Sequence, residues 1–130
     1  MKRKDNIGSE GNTRKVGQQY EDVAAEYLEN QGYCIMERNY RRRGGELDIV
    51  AKRDGMLIVC EVKYRKTAEQ GSPLEAVDAR KQMQISKMTA HYLVSHGYRE
   101  EVPVRFDVIG IDGNGQIRHI ENAFEYCYGR

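Results

Sequence analysis

Gly45-Glu46-Leu47-Asp48-Ile49-Val50 and Leu57-Ile58-Val59-Cys60-Glu61-Val62-Lys63 are two largely apolar runs on either side of an Asp54-Gly55 pair. An Asp-Gly pair between alternating apolar runs predicts a β-hairpin with a two-residue turn. Counting outward from such a turn places Asp48 opposite Glu61. Opposed residues point to the same face of a sheet, with Cβ atoms roughly 4.5–5.5 Å apart. The sequence therefore predicts that two carboxylates meet on one small area of sheet.

Like charges opposed across a strand pair are destabilising, so a compensating cation is expected there. Asp48 and Glu61 offer hard oxygen ligands, which suit Mg²⁺ or Mn²⁺ and not zinc. Lys63 shares their face because side chains alternate along a strand. Beside a metal-bound water, its amine could orient the nucleophile and stabilise charge at phosphorus. The alternative is that Glu61 and Lys63 form only a surface ion pair and have no role in catalysis. Glu46 lies opposite Lys63 in this register and could instead be the ion-pair partner of this lysine.

The surroundings of these charges are predicted from periodicity. The residues that alternate with them are apolar and are expected to pack into the core, leaving the charged face at a cleft; they are Leu47, Ile49, Ala51, Ile58, Cys60 and Val62. Glu21 lies at the edge of the apolar face of the first predicted helix. Its carboxylate could reach over the sheet to ligate a metal directly or through water, or it could extend into solvent.

Basic residues are concentrated around the hairpin. The whole chain has 21 Lys and Arg against 20 Asp and Glu, a net charge of +1, yet the span from Arg38 to Lys66 has nine basic and four acidic residues. Such a local field can neutralise phosphates even in a near-neutral protein, although a charged face that only aids solubility has the same composition. The residues expected to contact phosphates are Arg41, Arg42, Arg43, Arg65, Lys66 and, on the second long helix, Lys81.

Length and composition indicate one globular domain. The 130 residues are predicted to form a disordered basic tail over 1–13 and a single domain over 14–130. The sequence contains no apolar run of membrane-spanning length and no apolar stretch for export near its start. Three widely spaced cysteines argue against a disulfide framework and a structural zinc site, so a cytoplasmic location is expected.

Periodicity and turn signals predict the order α-β-β-β-α-β-β, a mixed sheet flanked by helices. We expect a cross-strand ion pair at Arg105 and Asp107. The expected elements are a helix over 14–31, a strand over 33–40, the hairpin, a helix from a Ser72 cap to about 96 with a break near 77–79, strands over 102–108 and 116–120, and a final helical turn over 122–128.

The run GELDIVAKRDGMLIVCEVKYRK, residues 45–66, resembles the signature of the YraN-like family of predicted endonucleases, in the restriction-endonuclease-like or PD-(D/E)xK superfamily. The resemblance covers most of the chain beyond the first dozen residues, including Gly17, Glu21, Gly32-Tyr33, Arg38-Asn39, Glu75-Ala76-Val77, Lys81, Arg105-Phe106-Asp107-Val108 and Asn122-Ala123-Phe124. It implies that Asp48 and Glu61 are metal ligands and that Lys63 is the catalytic lysine. Glu21 matches the helix glutamate of the Holliday-junction-resolvase-like branch. Leu47 stands where the superfamily motif has proline.

The function implied by this resemblance is a Mg²⁺- or Mn²⁺-dependent endonuclease acting on DNA, with branched or recombining DNA as one candidate substrate. A resolvase-type activity needs two active sites, so a homodimer is the corresponding assembly, and no membrane partner is expected. A nucleic-acid-binding module with silent or partner-dependent catalysis is the alternative. A structural or protein-interaction domain is a third interpretation.

Overall fold

The computed structural model describes the backbone of residues 9–66, 71–98 and 101–128, and the side chains from residue 16 onward within those ranges. The predicted order α-β-β-β-α-β-β is confirmed. The elements are α1 (Ser9–Asn30), β1 (Cys34–Arg42), β2 (Gly45–Arg53), β3 (Met56–Arg65), a 3₁₀ helix (Pro73–Ala76), α2 (Ala79–Ser95), β4 (Val104–Asp112) and β5 (Ile117–Phe124). Within the described ranges, no helix is both long and apolar enough to cross a membrane.

Helix α1 begins earlier than predicted and ends as predicted. It starts at Ser9, within the stretch expected to be a tail, while residues 1–8 lie outside the described ranges. At its end Gly32 has φ 94°, Gly32 N–H donates to Glu29 O, and Tyr33 N–H donates to Leu28 O, each at 3.0 Å. This pair of bonds is a Schellman motif, which requires a left-handed residue and so favours glycine.

The five strands form one sheet in the order β1-β2-β3-β4-β5. Strands β3 and β4 are parallel, whereas the other neighbouring pairs are antiparallel. A parallel pair needs a crossover connection, and α2 lies in the segment that makes it. Ser72 caps the 3₁₀ helix, and Asp78 then caps α2 by accepting a hydrogen bond from Lys81 N at 2.9 Å. The predicted break near 77–79 is therefore confirmed, because a second cap starts the α-helix there.

Both faces of the sheet are covered, which differs from the single apolar face that alternation predicted. Helix α1 packs on Ile49, Ala51, Ile58 and Cys60, while α2 packs on the opposite face, over Val50, Leu57, Val59 and Phe106. Leu47 belongs to the α2 side, not with Ile49 and Ala51 as expected. Helix α2 has to bury its own apolar stripe against the sheet. It therefore covers most of the face that carries Asp48 and Glu61 and leaves only the end of that face uncovered.

The two edge strands are irregular. In β1 the register with β2 shifts between Ile35 and Glu37, and Asn39 has φ 56°. In the β4–β5 pair the register shifts between Phe106 and Val108, and Asn122 has φ 53°. The predicted helical turn over 122–128 is wrong, because β5 runs on to Phe124 and residues 125–128 form no helix. The Phe124 ring stacks on Phe106 at 4.9 Å between centroids.

A buried polar network joins β4, β5 and the end of α1. Arg105 donates twice to the fully buried carboxylate of Asp107, from Nε at 2.9 Å and Nη2 at 2.7 Å, so the main ion pair lies along one strand and not across strands as expected. Across strands, Asp107 contacts His119 Nε2 at 2.7 Å and Arg105 reaches Glu121 at 3.8 Å. Burial alone would raise the pKa of Asp107, but bonds from His119, Arg105 and the Asn122 backbone outweigh it and lower that pKa.

Replacing Asp107 with Asn should lower the free energy of unfolding by about 3–5 kcal/mol, because the guanidinium of Arg105 would keep its position without its counter-charge. The lowered pKa means that the carboxylate stabilises the wild type above its ordinary pKa and that this stability is lost as pH falls through the folded value. Urea unfolding from pH 7 to pH 3 tests both statements. Asp54→Asn, at an exposed turn residue, is the control. An Asp107→Asn variant with wild-type stability and acid sensitivity would contradict the prediction.

Two glycines should respond oppositely to alanine. A Cβ on Gly110 would collide with the Pro73 ring, so Gly110→Ala should cost about 1–3 kcal/mol of unfolding free energy. A Cβ on Gly17, in α1, would meet nothing within 4 Å, so Gly17→Ala should stabilise the helix by up to about 1 kcal/mol. Urea unfolding followed by circular dichroism measures both. The reverse order of stabilities would show that the 3₁₀ helix is not packed on β4 as described.

Candidate active site

The predicted register of the hairpin is confirmed. The β2–β3 ladder runs from Arg53↔Met56 to Ile49↔Cys60, so the next opposed positions are Asp48 and Glu61. At this position the acceptor for the next strand is a side chain instead of a backbone carbonyl: Asp48 Oδ2 accepts a hydrogen bond from Val62 N–H at 2.9 Å. The two carboxylate residues are only 7% and 5% exposed. The strands thus hold two acidic side chains in the interior, at the point where their backbone pairing ends.

Burial and a neighbouring like charge raise the pKa of Asp48, so this carboxyl group holds its proton far more strongly than an exposed aspartate does. Removal from water is the larger cause and the Glu61 charge the next, and together they raise the pKa of Asp48 to about 8 despite the opposing bond from Val62 N–H. The more distant carboxylates of Glu21 and Glu46 act in the same direction. A divalent cation at this point would offset the part of the shift that comes from repulsion by Glu61.

Two lysines meet the carboxylate of Glu61. Lys63 Nζ lies 3.4 Å from Glu61 Oε2, on the face predicted from strand alternation. Lys81 Nζ lies 3.5 Å from the same oxygen and comes from the first turn of α2, where the Asp78 cap fixes the start of the helix. Lys81 was predicted as a phosphate contact, and in the structure it also reaches the acidic pair.

Glu21 approaches from the opposite side of the sheet. Its side chain is 14% exposed, and its pKa is raised chiefly by burial, with Asn39 and Arg38 opposing the shift. Oε1 is buried without a hydrogen-bond partner in the described ranges, and Arg38 Nη2 is 3.8 Å away. This carboxylate lines a pocket of about 430 Å³ together with Gly17, Gln18, Asn39, Arg41 and Glu46.

The donor set fits a hard cation that keeps part of its hydration shell. Among residues 16–66, 71–98 and 101–128, no three His, Cys, Asp or Glu side chains lie close enough to form a metal site on their own. Asp48 and Glu61 are the two carboxylates that the structure brings together, and Mg²⁺ commonly takes only one or two carboxylates plus water and phosphate oxygens. Glu21 Oε1, which has no hydrogen-bond partner in the described ranges, could accept a hydrogen bond from a water bound to such an ion.

The predicted phosphate-binding residues lie at this end of the sheet, in different situations. Arg41 Nε pairs with Glu46 Oε1 at 2.7 Å, so Glu46 is the partner of Arg41 and not of Lys63. The guanidinium of Arg42 lies 4.3 Å above the Tyr40 ring, and Arg65 Nη2 donates to Ser72 O at 3.3 Å. Arg43 and Lys66 are exposed.

Sequence reasoning named only Lys81 on α2, and the structure adds Arg80 and Lys87 to a basic surface there. Arg80, Lys81, Gln84 and Lys87 line a pocket of about 510 Å³ beside the β1–β2 turn. Gln84 Nε2 donates to Gly44 O at 2.9 Å, and a Cβ on Gly45 would lie 2.9 Å from Gln84 Cγ, so the turn packs tightly against the helix. Residues 80, 84 and 87 are spaced so that they lie on one face of a helix, and this spacing could have predicted the surface from the sequence.

Asp48→Asn should stabilise the metal-free protein at pH 7 by about 1–3 kcal/mol, because asparagine keeps an acceptor for Val62 N–H and avoids the cost of either charging or protonating a buried carboxyl group. The raised pKa means that the contribution of Asp48 to wild-type stability is largest below about pH 4 and declines as pH rises toward 8, a decline that the variant should lack. Thermal unfolding in EDTA between pH 4 and 9 measures this, with Asp54→Asn as control. A variant less stable than wild type throughout would contradict it.

Comparison with known proteins places the chain in a family. The model of the uncharacterised protein family UPF0102 matches residues 20–111, which include the whole acidic site. A UPF0102 protein of Lachnoclostridium phytofermentans is 45% identical over 118 residues, covering 91% of this chain and 98% of the relative. A UPF0102 protein of Trichlorobacter lovleyi is 48% identical over 118 residues, covering 87% and 92%. The chain therefore belongs to the uncharacterised protein family UPF0102.

Proposed function

We propose that this protein is a metal-dependent nuclease that hydrolyses phosphodiester bonds in DNA, with Mg²⁺ or Mn²⁺ as its cofactor. The observation that carries the proposal is the buried pair of acidic residues, Asp48 and Glu61. A pair of hydrophobic residues at these positions would stabilise the fold better, so stability alone does not explain the two carboxyl groups. Lys63 and Lys81, both within 3.5 Å of Glu61 Oε2, complete a set of acids and amines. The resemblance to the PD-(D/E)xK superfamily supports the same roles.

In this proposal Asp48 and Glu61 would hold the metal ion, and Glu21 would assist through Oε1, which has no hydrogen-bond partner in the described ranges. The bound ion would polarise the phosphate and lower the pKa of a coordinated water. Lys63 Nζ orients the attacking water and donates a hydrogen bond to the oxygen that gains charge at phosphorus. Lys81, whose Nζ lies 3.5 Å from Glu61 Oε2, would donate a hydrogen bond to a neighbouring phosphate oxygen.

Charge around the site favours a polyanionic substrate. Arg80, Lys81 and Lys87 form the flank on α2, and the β1–β2 turn adds Arg42 and Arg43 beside them. Lys81 reaches the acidic pair at Glu61, and the other basic residues continue from it along α2 and at the end of β1, which suits a phosphate backbone that crosses the ends of the strands.

The Holliday-junction-resolvase-like branch suggests branched or recombining DNA as substrate and a homodimer as the working assembly. The described cysteines Cys34, Cys60 and Cys127 are all free thiols, which fits the proposed cytoplasmic location.

A second candidate is a nucleic-acid-binding module whose catalysis is silent or depends on a partner. The observation that favours it is the double contact of Glu61 with Lys63 and Lys81, which neutralises a carboxylate that the nuclease needs for metal. In that case the lysines would be the physiological counter-charges. Binding would then be insensitive to Mg²⁺ and steeply dependent on salt.

The nuclease proposal predicts cleavage of linear, flapped or four-way DNA in Mg²⁺ or Mn²⁺, followed on denaturing gels. Asp48→Asn, Glu61→Gln and Lys63→Gln should each lower the rate by at least about a hundredfold, because each removes a group that acts on the reacting phosphate. Glu21→Gln should lower it by about tenfold, since its role is indirect. Lys52→Gln, on an exposed residue of β2 away from the site, is the matched control.

Metal binding provides a readout that does not depend on finding the right DNA. Mg²⁺ or Mn²⁺ should raise the thermal unfolding midpoint of the wild type and of Lys52→Gln, but not that of Asp48→Asn. Absence of cleavage on every DNA form, together with no metal-dependent stabilisation, would exclude the nuclease. Salt-sensitive DNA binding under the same conditions would identify the binding module instead.

A further inference from the structure

Strand β3 carries a row of charged residues beyond the acidic pair. Glu61, Lys63 and Arg65 alternate along the strand, so their side chains leave the same face at steps of about 6.6 Å. Gly110 of β4 lies beside Lys63, and Arg118 of β5 lies beside Gly110, which brings a second arginine to this face two strands away. Adjacent phosphates along a nucleic-acid strand are separated by a comparable distance to one such step.

A small pocket lies at the end of this row. Its volume is about 140 Å³, and the residues that matter here are Arg65, Pro73, Gly110, Asp112, Gln116 and Arg118. The Pro73 ring packs where a Cβ of Gly110 would be, so proline and glycine together close one side. Asp112 turns Oδ1 to the backbone N–H groups of Asn114 and Gln116, at 2.8 and 2.9 Å. Two guanidinium groups against one hydrogen-bonded carboxylate leave the lining net positive.

The guanidinium of Arg65 is incompletely satisfied. Its Nη2 donates to Ser72 O at 3.3 Å, whereas Nε is buried and has no hydrogen-bond partner in the described ranges. A buried donor on a charged group is costly when it has no acceptor, and the cost is recovered when an anion supplies one. The pocket beside it has the charge for such an anion.

We propose that Arg65 and Arg118 form a phosphate subsite that holds the backbone phosphate next to the one being cleaved. The inference rests on the proposed nuclease function, which supplies the reacting phosphate at Asp48, Glu61 and Lys63. Lys63 and Arg65 are two residues, or about 6.6 Å, apart along β3. A nucleotide that spans this distance would place one phosphate over the metal site and the other over the pocket. The subsite recognises phosphate and carries no base specificity.

The experiment measures whether a second phosphate adds affinity. Thymidine 3′,5′-bisphosphate, thymidine 5′-monophosphate and inorganic phosphate are titrated by calorimetry into wild type, Arg65→Gln, Arg118→Gln and the control Arg53→Gln, in Ca²⁺ and in EDTA. In Ca²⁺ the bisphosphate should bind wild type and Arg53→Gln at least about tenfold tighter than the monophosphate. That preference should fall to about twofold or less in Arg65→Gln and decrease in Arg118→Gln. Circular dichroism checks that each variant is folded, and Arg118 is exposed, so its variant tests the subsite without a packing change.

The outcomes separate this inference from the proposed function. A bisphosphate that binds wild type no tighter than the monophosphate, with both still dependent on Ca²⁺, would overturn the subsite and leave the metal site standing. A preference for bisphosphate that needs Arg65 but not Ca²⁺ would support the pocket and count against the metal site. Inorganic phosphate bound as tightly as the bisphosphate, and lost in Arg65→Gln, would mean a pocket for free phosphate and would overturn the proposal.

Discussion

The hydrogen bond from Val62 N–H to Asp48 Oδ2 is the constraint on which the site depends. It replaces a backbone acceptor with a side chain at the end of the β2–β3 ladder, so that the strands stay joined while their backbones separate. The same bond fixes the carboxylate of Asp48 beside that of Glu61 in a place with little water. An arrangement that is unfavourable for an isolated protein is thus built into the end of the β2–β3 ladder, which is typical of sites made for a ligand.

The two-sided core explains why the charged groups meet at only one end of the sheet. Both helices bury their apolar stripes over the middle of β2 and β3, and each then extends a polar residue to the end of the strands. Glu21 comes from α1 on one face and Lys81 from α2 on the other. Because each helix is held by a fully packed core, these side chains approach the acidic pair from rigid supports, and small changes in packing would be felt at the site.

The parts of the site that sequence predicted are those with local causes. The Asp54-Gly55 turn sets the hairpin register, and the register alone brings Asp48, Glu61 and Lys63 together. What it could not predict depends on contacts between distant segments. The bond from Gln84 to Gly44 joins residues 40 apart, and it determines where the arginines of the β1–β2 turn lie relative to α2. Alternation failed at Leu47 because it assumes one covered face, and the end of β5 was missed because Phe124 is held by its stack on Phe106.

The irregular edge strands limit how two copies of the chain could associate. An open sheet edge invites pairing with the same edge of another molecule, and bulges and left-handed residues are among the features by which natural proteins prevent it. β1 has a register shift near Met36 and a left-handed Asn39, while Asn122 interrupts β5 in the same way. Neither edge offers an even row of backbone donors and acceptors. A dimer that presents two of these sites to one DNA would therefore be built from side-chain contacts, not from a sheet continued across the molecular boundary.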